Sequence, residues 1–189
     1  MFNDRSTPID LLLTRRSAKA RDMVAPGPSE AELATILQAA ARVPDHGKLA
    51  PWAFVVIEDR AALSELLQRL YRADKPEAGR LELEAMDSFA RQAPTLVALI
   101  FTPRESHIPI WEQQLSAGAA AQNLLIATHG LGYVGNWLTG APAYLPGIAP
   151  ALGYPNGHMV GWFFLGTPTK ALEERPRPDL AAIIGRWPV

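Results

Sequence analysis

The chain has no cysteine among its 189 residues. That excludes disulfides, thiolate metal sites and a cysteine nucleophile, and it suits a reducing compartment, so a cytoplasmic location is expected. A surplus of either charge is also lacking: 18 Lys and Arg face 19 Asp and Glu, for a net charge of −1. With no long basic run, nucleic acid is not an expected partner. Long hydrophobic runs are missing too. The most apolar helical stretch, Leu115 to Thr128, is interrupted by Gln122 and Asn123. It falls short of the ~20 residues that cross a bilayer, so no membrane partner is expected. Asp4, Arg5 and Asp10 stand where a secretory signal would need an apolar core. The sequence has no H-E-x-x-H, P-loop or G-x-S-x-G. His107, His129 and His158 lack metal-ligand spacing, and no metal site is expected. Internal repeats and low-complexity linkers are also absent.

What is present is ordinary globular usage, 48% hydrophobic and 20% charged. The length suits a single domain over residues 1–189. A first helix is expected from Thr7, with Pro8 at its first helical position and Ile9, Leu12 and Leu13 as its apolar stripe, ending near Arg15-Arg16-Ser17. Ser29 to Glu32 reads as a capping box opening a second helix, which Pro44 stops. Strands are expected at Trp52 to Glu58, at the continuous apolar run Thr95 to Phe101, at Tyr133 to Trp137 and at Met159 to Leu165. Two helices fall between the first pair of strands. A long helix spans Pro109 to His129, its middle almost bare of side-chain bulk, which lets another element come close. A last short helix, Pro178 to Arg186, is expected to face Leu180, Ile183 and Ile184 inward. The order of elements implies a sheet flanked by helices.

Several motifs allow two readings. Gly130, Gly132 and Gly135 form a literal G-x-G-x-x-G, but a dinucleotide fingerprint follows a strand and opens a helix. Here the order is reversed, which favours a helix stop and turn. Arg15-Arg16-Ser17 offers the planar forks that bind phosphate in pairs; cations at a helix C-terminus, complementing its dipole, are the other reading. Pro44 to Trp52, with Arg42 before it, gathers His46, Lys48 and an indole in one turn, suited to a flat anionic ligand or to a solvated loop. Asn136-Trp137-Leu138-Thr139 ends a strand, where ligands often sit, or buries a tryptophan in the core. Trp111-Glu112 caps a pocket or simply packs.

Taken in order, these segments resemble the nitroreductase family over nearly the whole chain. Arg15-Arg16-Ser17 matches its N-terminal R-R-S signature, and Pro44 to Trp52 its P-x-x-x-x-x-x-P-W segment. Glu112 to Asn123 resembles its central helix, and Gly130-Leu131-Gly132 leading into Gly135-Asn136-Trp137 its G-x-G strand start. Gly166-Thr167-Pro168 and Arg175-Pro176-Arg177 resemble its last strand end and basic tail. The resemblance implies an α+β fold with a mixed central sheet in a three-layer α/β/α arrangement, an intertwined homodimer, and FMN bound at the subunit interface with NAD(P)H as electron donor. Arg15, Arg16 and Ser17 would hold the FMN phosphate and ribityl chain. Arg42 and His46 would reach the same flavin from the other subunit. Trp137, Leu138 and Thr139 would line the ring, and Arg175 and Arg177 would add phosphate contacts. FMN carries the chemistry, so no catalytic side chain is expected. The implied activity is ping-pong hydride transfer to small electron-poor molecules such as nitroaromatics or quinones. The alternatives are a flavin-binding module for storage or sensing, without turnover, and a dimeric scaffold without flavin. Departures from the family pattern, Lys48 and Ala50 for the usual Asn and Gln and no aromatic after Arg21, bear on substrate and nucleotide preference more than on flavin binding. Residues 59–92 correspond to the family's variable region.

Overall fold

The computed structural model describes residues 2–187. Helix α1 (Pro8–Thr14) starts where the Thr7 hydroxyl accepts from the Asp10 amide, with proline at its head. Helix α2 (Glu30–Ala40) carries the full reciprocal capping box of Ser29 and Glu32. A connection through residues 41–51 leads to β2 (Trp52–Val56), and a two-residue β1 (Met23–Val24) precedes α2. Helices α3 (Arg60–Asp74) and α4 (Arg80–Ala90) form a packed pair before β3 (Thr95–Phe101). Helix α5 (Ile110–Gly130) then crosses to β4 (Val134–Leu138). Two single-turn helices, α6 (Ala141–Tyr144) and α7 (Ile148–Ala151), lead to β5 (His158–Pro168). The tail holds one turn, α8 (Leu180–Ile183).

Alternation along the strands builds the layers. Leu96, Ala98, Trp162 and Phe164 pack with Leu63, Leu67, Leu83 and Met86 of α3 and α4. Their neighbours Val97, Leu99, Phe163 and Leu165 face Ile36, Ala121, Leu124 and Leu125 of α2 and α5. The expected three layers of helix, sheet and helix are present.

The sheet departs from the expectation of mixed pairing. Every strand pair among the described residues is antiparallel, in the order β1-β5-β3-β2 with β4 on β5. Two features of the connections account for this. The α3–α4 hairpin contains two helices, so it returns the chain to the end where β2 finished and sends β3 back antiparallel. The single crossover α5 gives β4 the direction of β3, but β5 lies between them and opposes both.

The sequence glycines at 130, 132 and 135 serve the helix-to-strand turn. Gly132 takes a left-handed φ of 96°. A Cβ on Gly135 would meet the Leu125 side chain at 2.7 Å, so glycine there lets α5 lie close on β4. Two expectations about apolar faces are corrected. Leu180, Ile183 and Ile184 do not face inward; all three are more than 60% exposed, because among the described residues of this chain little covers the last turn. In α1 the buried residue is Leu11, while Ile9, Leu12 and Leu13 are exposed. No helix among the described residues is long and apolar enough to cross a membrane.

Candidate functional site

A cleft of about 470 Å³ opens where four parts of the chain converge. One wall is the extended segment after α1, Arg15 to Lys19, and another is the middle of α5 at Gln122 and Leu125. The floor is the end of β4 at Asn136 and Trp137, and the rim is the chain beyond β5, Lys170 to Glu173 with Arg175.

The segment after α1 leaves the helix because Arg15, its C-cap, is no longer helical, with ψ 126°. Side chains then pin it. Asn3 Oδ1 accepts from the Arg16 amide at 2.9 Å, and Asn136 donates from Nδ2 to the Ala18 carbonyl. Arg16 donates from Nε to the Glu173 carbonyl at 2.7 Å and lies 3.5 Å from the Glu174 carboxylate. The tail is thereby tied across the mouth of the cleft.

Two acidic side chains at the cleft, Asp22 and Glu174, are matched to particular cations. Asp22 is 2.6 Å from Lys170, whose hydrogen bond holds its carboxyl below the usual carboxylate range. Glu174 takes Arg177 at 3.2 Å as well as Arg16; the Arg175 backbone amide, followed by the charge of Arg177, depresses its pKa. Arg15 has no carboxylate partner among the described residues; its side chain donates only to Ser17 Oγ, at 3.3 Å. It is half-buried, and burial first, then the positive charges of Arg16, Arg177 and Arg175, lower its pKa. A guanidinium does not give up its proton under such pressure. The cluster is therefore a cation surplus that an anion relieves.

Trp137 presents an indole, 39% exposed, to this cleft. Its ring stacks on Phe163, with centroids 5.3 Å apart and planes 28° apart. Its Nε1 donates to the Val160 carbonyl at 3.0 Å. That carbonyl is available because β5 bulges at this point: Leu99 pairs with Gly161 and Ile100 with Met159, so Val160 has no partner on β3. Gly161 completes the arrangement, since a Cβ there would sit 2.1 Å from the indole nitrogen.

Of the residues singled out in the sequence, Arg15, Arg16, Ser17, Trp137 and Arg175 line this one cleft. Arg177 is paired with Glu174 beside it and near enough to act on Arg15. Leu138 packs partly into the α3–α4 core, and Thr139 follows the end of β4; neither lines the cleft. Arg42 and His46 lie on the α2–β2 connection, outside the lining. There the Arg42 carbonyl accepts from Asn123 of α5 at 3.0 Å, and His46 Nδ1 is 2.7 Å from Glu112 Oε2. Sequence reasoning passed over Asp22, Lys170 and Gln122 as site residues. The first two meet because the short β1 pairs with the end of β5, Met23 opposite Pro168. A two-residue strand carries no periodic signal that would have revealed that contact. Among the described residues, no group of three or more His, Asp and Glu is placed to hold a metal.

A sequence model of the nitroreductase family matches residues 12–167. A candidate NAD(P)H nitroreductase of Escherichia coli K12, YdjA, is 33% identical over 164 residues, covering 85% of this chain and 87% of that protein. In fold the chain is similar to a nitroreductase-like family protein from Bacillus cereus, with a TM-score of 0.79, 19% identity and 97% of each chain covered. It is also similar to a nitroreductase-type protein of Desulfovibrio desulfuricans solved in complex with FMN, with a TM-score of 0.73, 23% identity, and 97% of this chain and 98% of that one covered.

Proposed function

This chain belongs to the nitroreductase family, and from that premise we propose that it is an FMN-dependent, NAD(P)H-oxidising reductase of small electron-poor molecules, working as a homodimer. The observation that carries the reading is Arg15, half-buried among like charges with no carboxylate of its own. A phosphate monoester dianion is the ligand that such a cluster accepts, and arginine forks bind it in pairs. The cleft also fits the rest of FMN. The Trp137 face offers a flat apolar surface, and the amide of Gln122 can hydrogen-bond to ring or ribityl polar atoms.

Arg15, Arg16 and Ser17 hold the phosphate and ribityl chain, with Arg175 and Arg177 adding positive charge from the tail. Trp137 borders the ring. Arg42 and His46 reach it from the other subunit, which is consistent with their place outside their own chain's cleft. When bound, FMN would supply the redox chemistry, a ping-pong hydride transfer between NAD(P)H and a nitroaromatic or quinone that use the same site in turn. The side chains bind, orient and supply positive charge where negative charge accumulates during transfer.

Exposed apolar side chains supply the dimer surface. Ile9, Leu12 and Leu13 of α1, Ile110, Trp111 and Leu115 of α5, and Leu180, Ile183, Ile184 and Trp187 of the tail are all 48% or more exposed. Together they exceed what isolated surface residues require. The lack of cysteine fits the cytoplasm as the place of action.

The test is an absorption spectrum of freshly purified protein followed by anaerobic titration with NADH and NADPH. A yellow dimer whose flavin band bleaches rapidly with either nucleotide supports the enzyme. Bound flavin that bleaches slowly or not at all replaces it with a storage or sensing module, and a colourless protein that takes up no added FMN removes both readings.

A further inference from the structure

One face of α5 grips the α2–β2 connection at successive points. Asn123 Nδ2 donates to the Arg42 carbonyl at 3.0 Å. Ser116 Oγ donates to the Pro44 carbonyl at 2.6 Å. Glu112 Oε2 accepts from His46 Nδ1 at 2.7 Å. At 3.6 residues per turn, positions 112, 116 and 123 fall within about 40° of one another, so they form one polar stripe along the helix. This stripe contacts the segment that carries Arg42 and His46.

The segment needs such pins. Its backbone is left-handed at Gly47 (φ 77°), Lys48 (φ 56°) and Ala50 (φ 44°). Only the first of these is a glycine, and each of the other two costs roughly 1 kcal/mol unless its surroundings hold it. Within the loop, Asp45 accepts from the Ala50 amide at 2.8 Å. The Glu112–His46 pair is a poor stabiliser of the fold. Its side chains are 64% and 43% exposed, and exposed pairs contribute little. Its effect is to set the imidazole. A carboxylate only accepts, so the hydrogen lies on Nδ1 and the ring offers Nε2 outward. Glu112 stands in the first turn of α5, at the positive end of the helix dipole.

We propose that Glu112 is a positioning residue that fixes the ring orientation and tautomer of His46, so that Nε2 is the atom presented to the flavin held mainly by the other subunit. This rests on the reading of His46 as a flavin contact. The test uses the full-length dimer with its flavin removed and then titrated back. With four histidines in the chain, the His46 ring is assigned in 15N-edited NMR spectra by its loss in His46→Ala.

In the parent protein the neutral His46 ring carries its hydrogen on Nδ1; in Glu112→Ala it shifts to the Nε2–H form that prevails in free histidine. Glu112→Gln keeps an accepting oxygen and retains the Nδ1–H form. FMN binding weakens about fivefold in Glu112→Ala, the size expected of an exposed pair. It weakens less in Glu112→Gln, and adding Glu112→Ala to His46→Ala produces no further loss. An unchanged tautomer in Glu112→Ala, or additive losses in the double variant, overturns the proposal. If His46→Ala binds FMN as the parent does, the flavin-contact reading fails by itself, while the tautomer measurement on flavin-free protein still decides what Glu112 does to the ring.

Discussion

His129 is buried at the end of α5 with 0% exposure, and neither ring nitrogen has a hydrogen-bond partner. Burial first, then the positive charge of Arg15, lowers its pKa from 6.5 to about 4, against a smaller opposing effect of the Tyr133 backbone. In the folded chain the ring is therefore neutral at any pH above about 4. In the unfolded chain it takes up a proton as the pH falls below about 6.5. Between those values the unfolded state binds more protons, so stability falls as the solution is acidified. At pH 5 the loss relative to neutral pH is about 2 kcal/mol, or a drop in Tm of roughly 4–8 °C for a chain of this size. Replacing the ring with leucine removes the titration and two buried nitrogens that have no hydrogen-bond partner. The assay is thermal unfolding of wild type and His129→Leu, flavin-free and at one protein concentration, from pH 7.5 to pH 5. Asp22, Glu32, Glu82 and Asp87 all have lowered pKa values. Their stabilisation is lost only below the ordinary carboxylate range of about 4–4.5, so the upper window belongs to His129. The two proteins should diverge steadily below pH 6.5, the variant holding its Tm. Parallel curves would refute the assignment of a neutral buried ring. With FMN bound, phosphate on Arg15 offsets the charge that disfavours protonation, and the wild-type loss should shrink.

The layers were legible in the sequence because period signals them. Thr95 to Phe101 reads as a buried strand and forms β3 residue for residue. The Ser29–Glu32 capping box is present as written. The basic cleft wall at Arg15 to Ser17 was legible as chemistry, though not as geometry. Which acids are already paired decides that Arg15 is a half-buried cation without a carboxylate, and those pairings join residues far apart in sequence, such as Asp22 with Lys170. The direction of the strands was hidden for a related reason: it depends on whether a connection holds one helix or two. The inward face assigned to Leu180, Ile183 and Ile184 failed for a different cause. Apolar spacing shows that a face will be covered, without saying which chain covers it, and within one chain those residues are exposed. The bulge that frees the Val160 carbonyl for Trp137 leaves no pattern in the sequence, since its only mark is Gly161 in an otherwise apolar strand.

Arg15→Ala should weaken FMN binding roughly 10- to 100-fold, as expected on losing charge-assisted hydrogen bonds, and flavin fluorescence titration measures it. Gly161→Val should push the Trp137 indole off Phe163, because any Cβ there lies 2.1 Å from Nε1. A shifted absorption band of bound flavin reports the move, and an unchanged band would show that Trp137 does not border the ring. Ala93→Gly relieves a left-handed φ of 53° at the turn into β3 and should raise stability by about 0.5–1 kcal/mol in urea unfolding, the strain removed exceeding the added chain entropy. Arg42→Ala tests the two-subunit site most directly. Arg42 is exposed, and its link to α5 runs through its backbone carbonyl, so truncating the side chain should change unfolding by less than about 0.5 kcal/mol. If that guanidinium serves the other subunit's flavin, FMN affinity falls about tenfold while the dimer persists in sedimentation. Undiminished affinity in a stable dimer would mean that each cleft binds with its own chain's cations alone, and the exposed apolar faces would then have to be explained without a shared site.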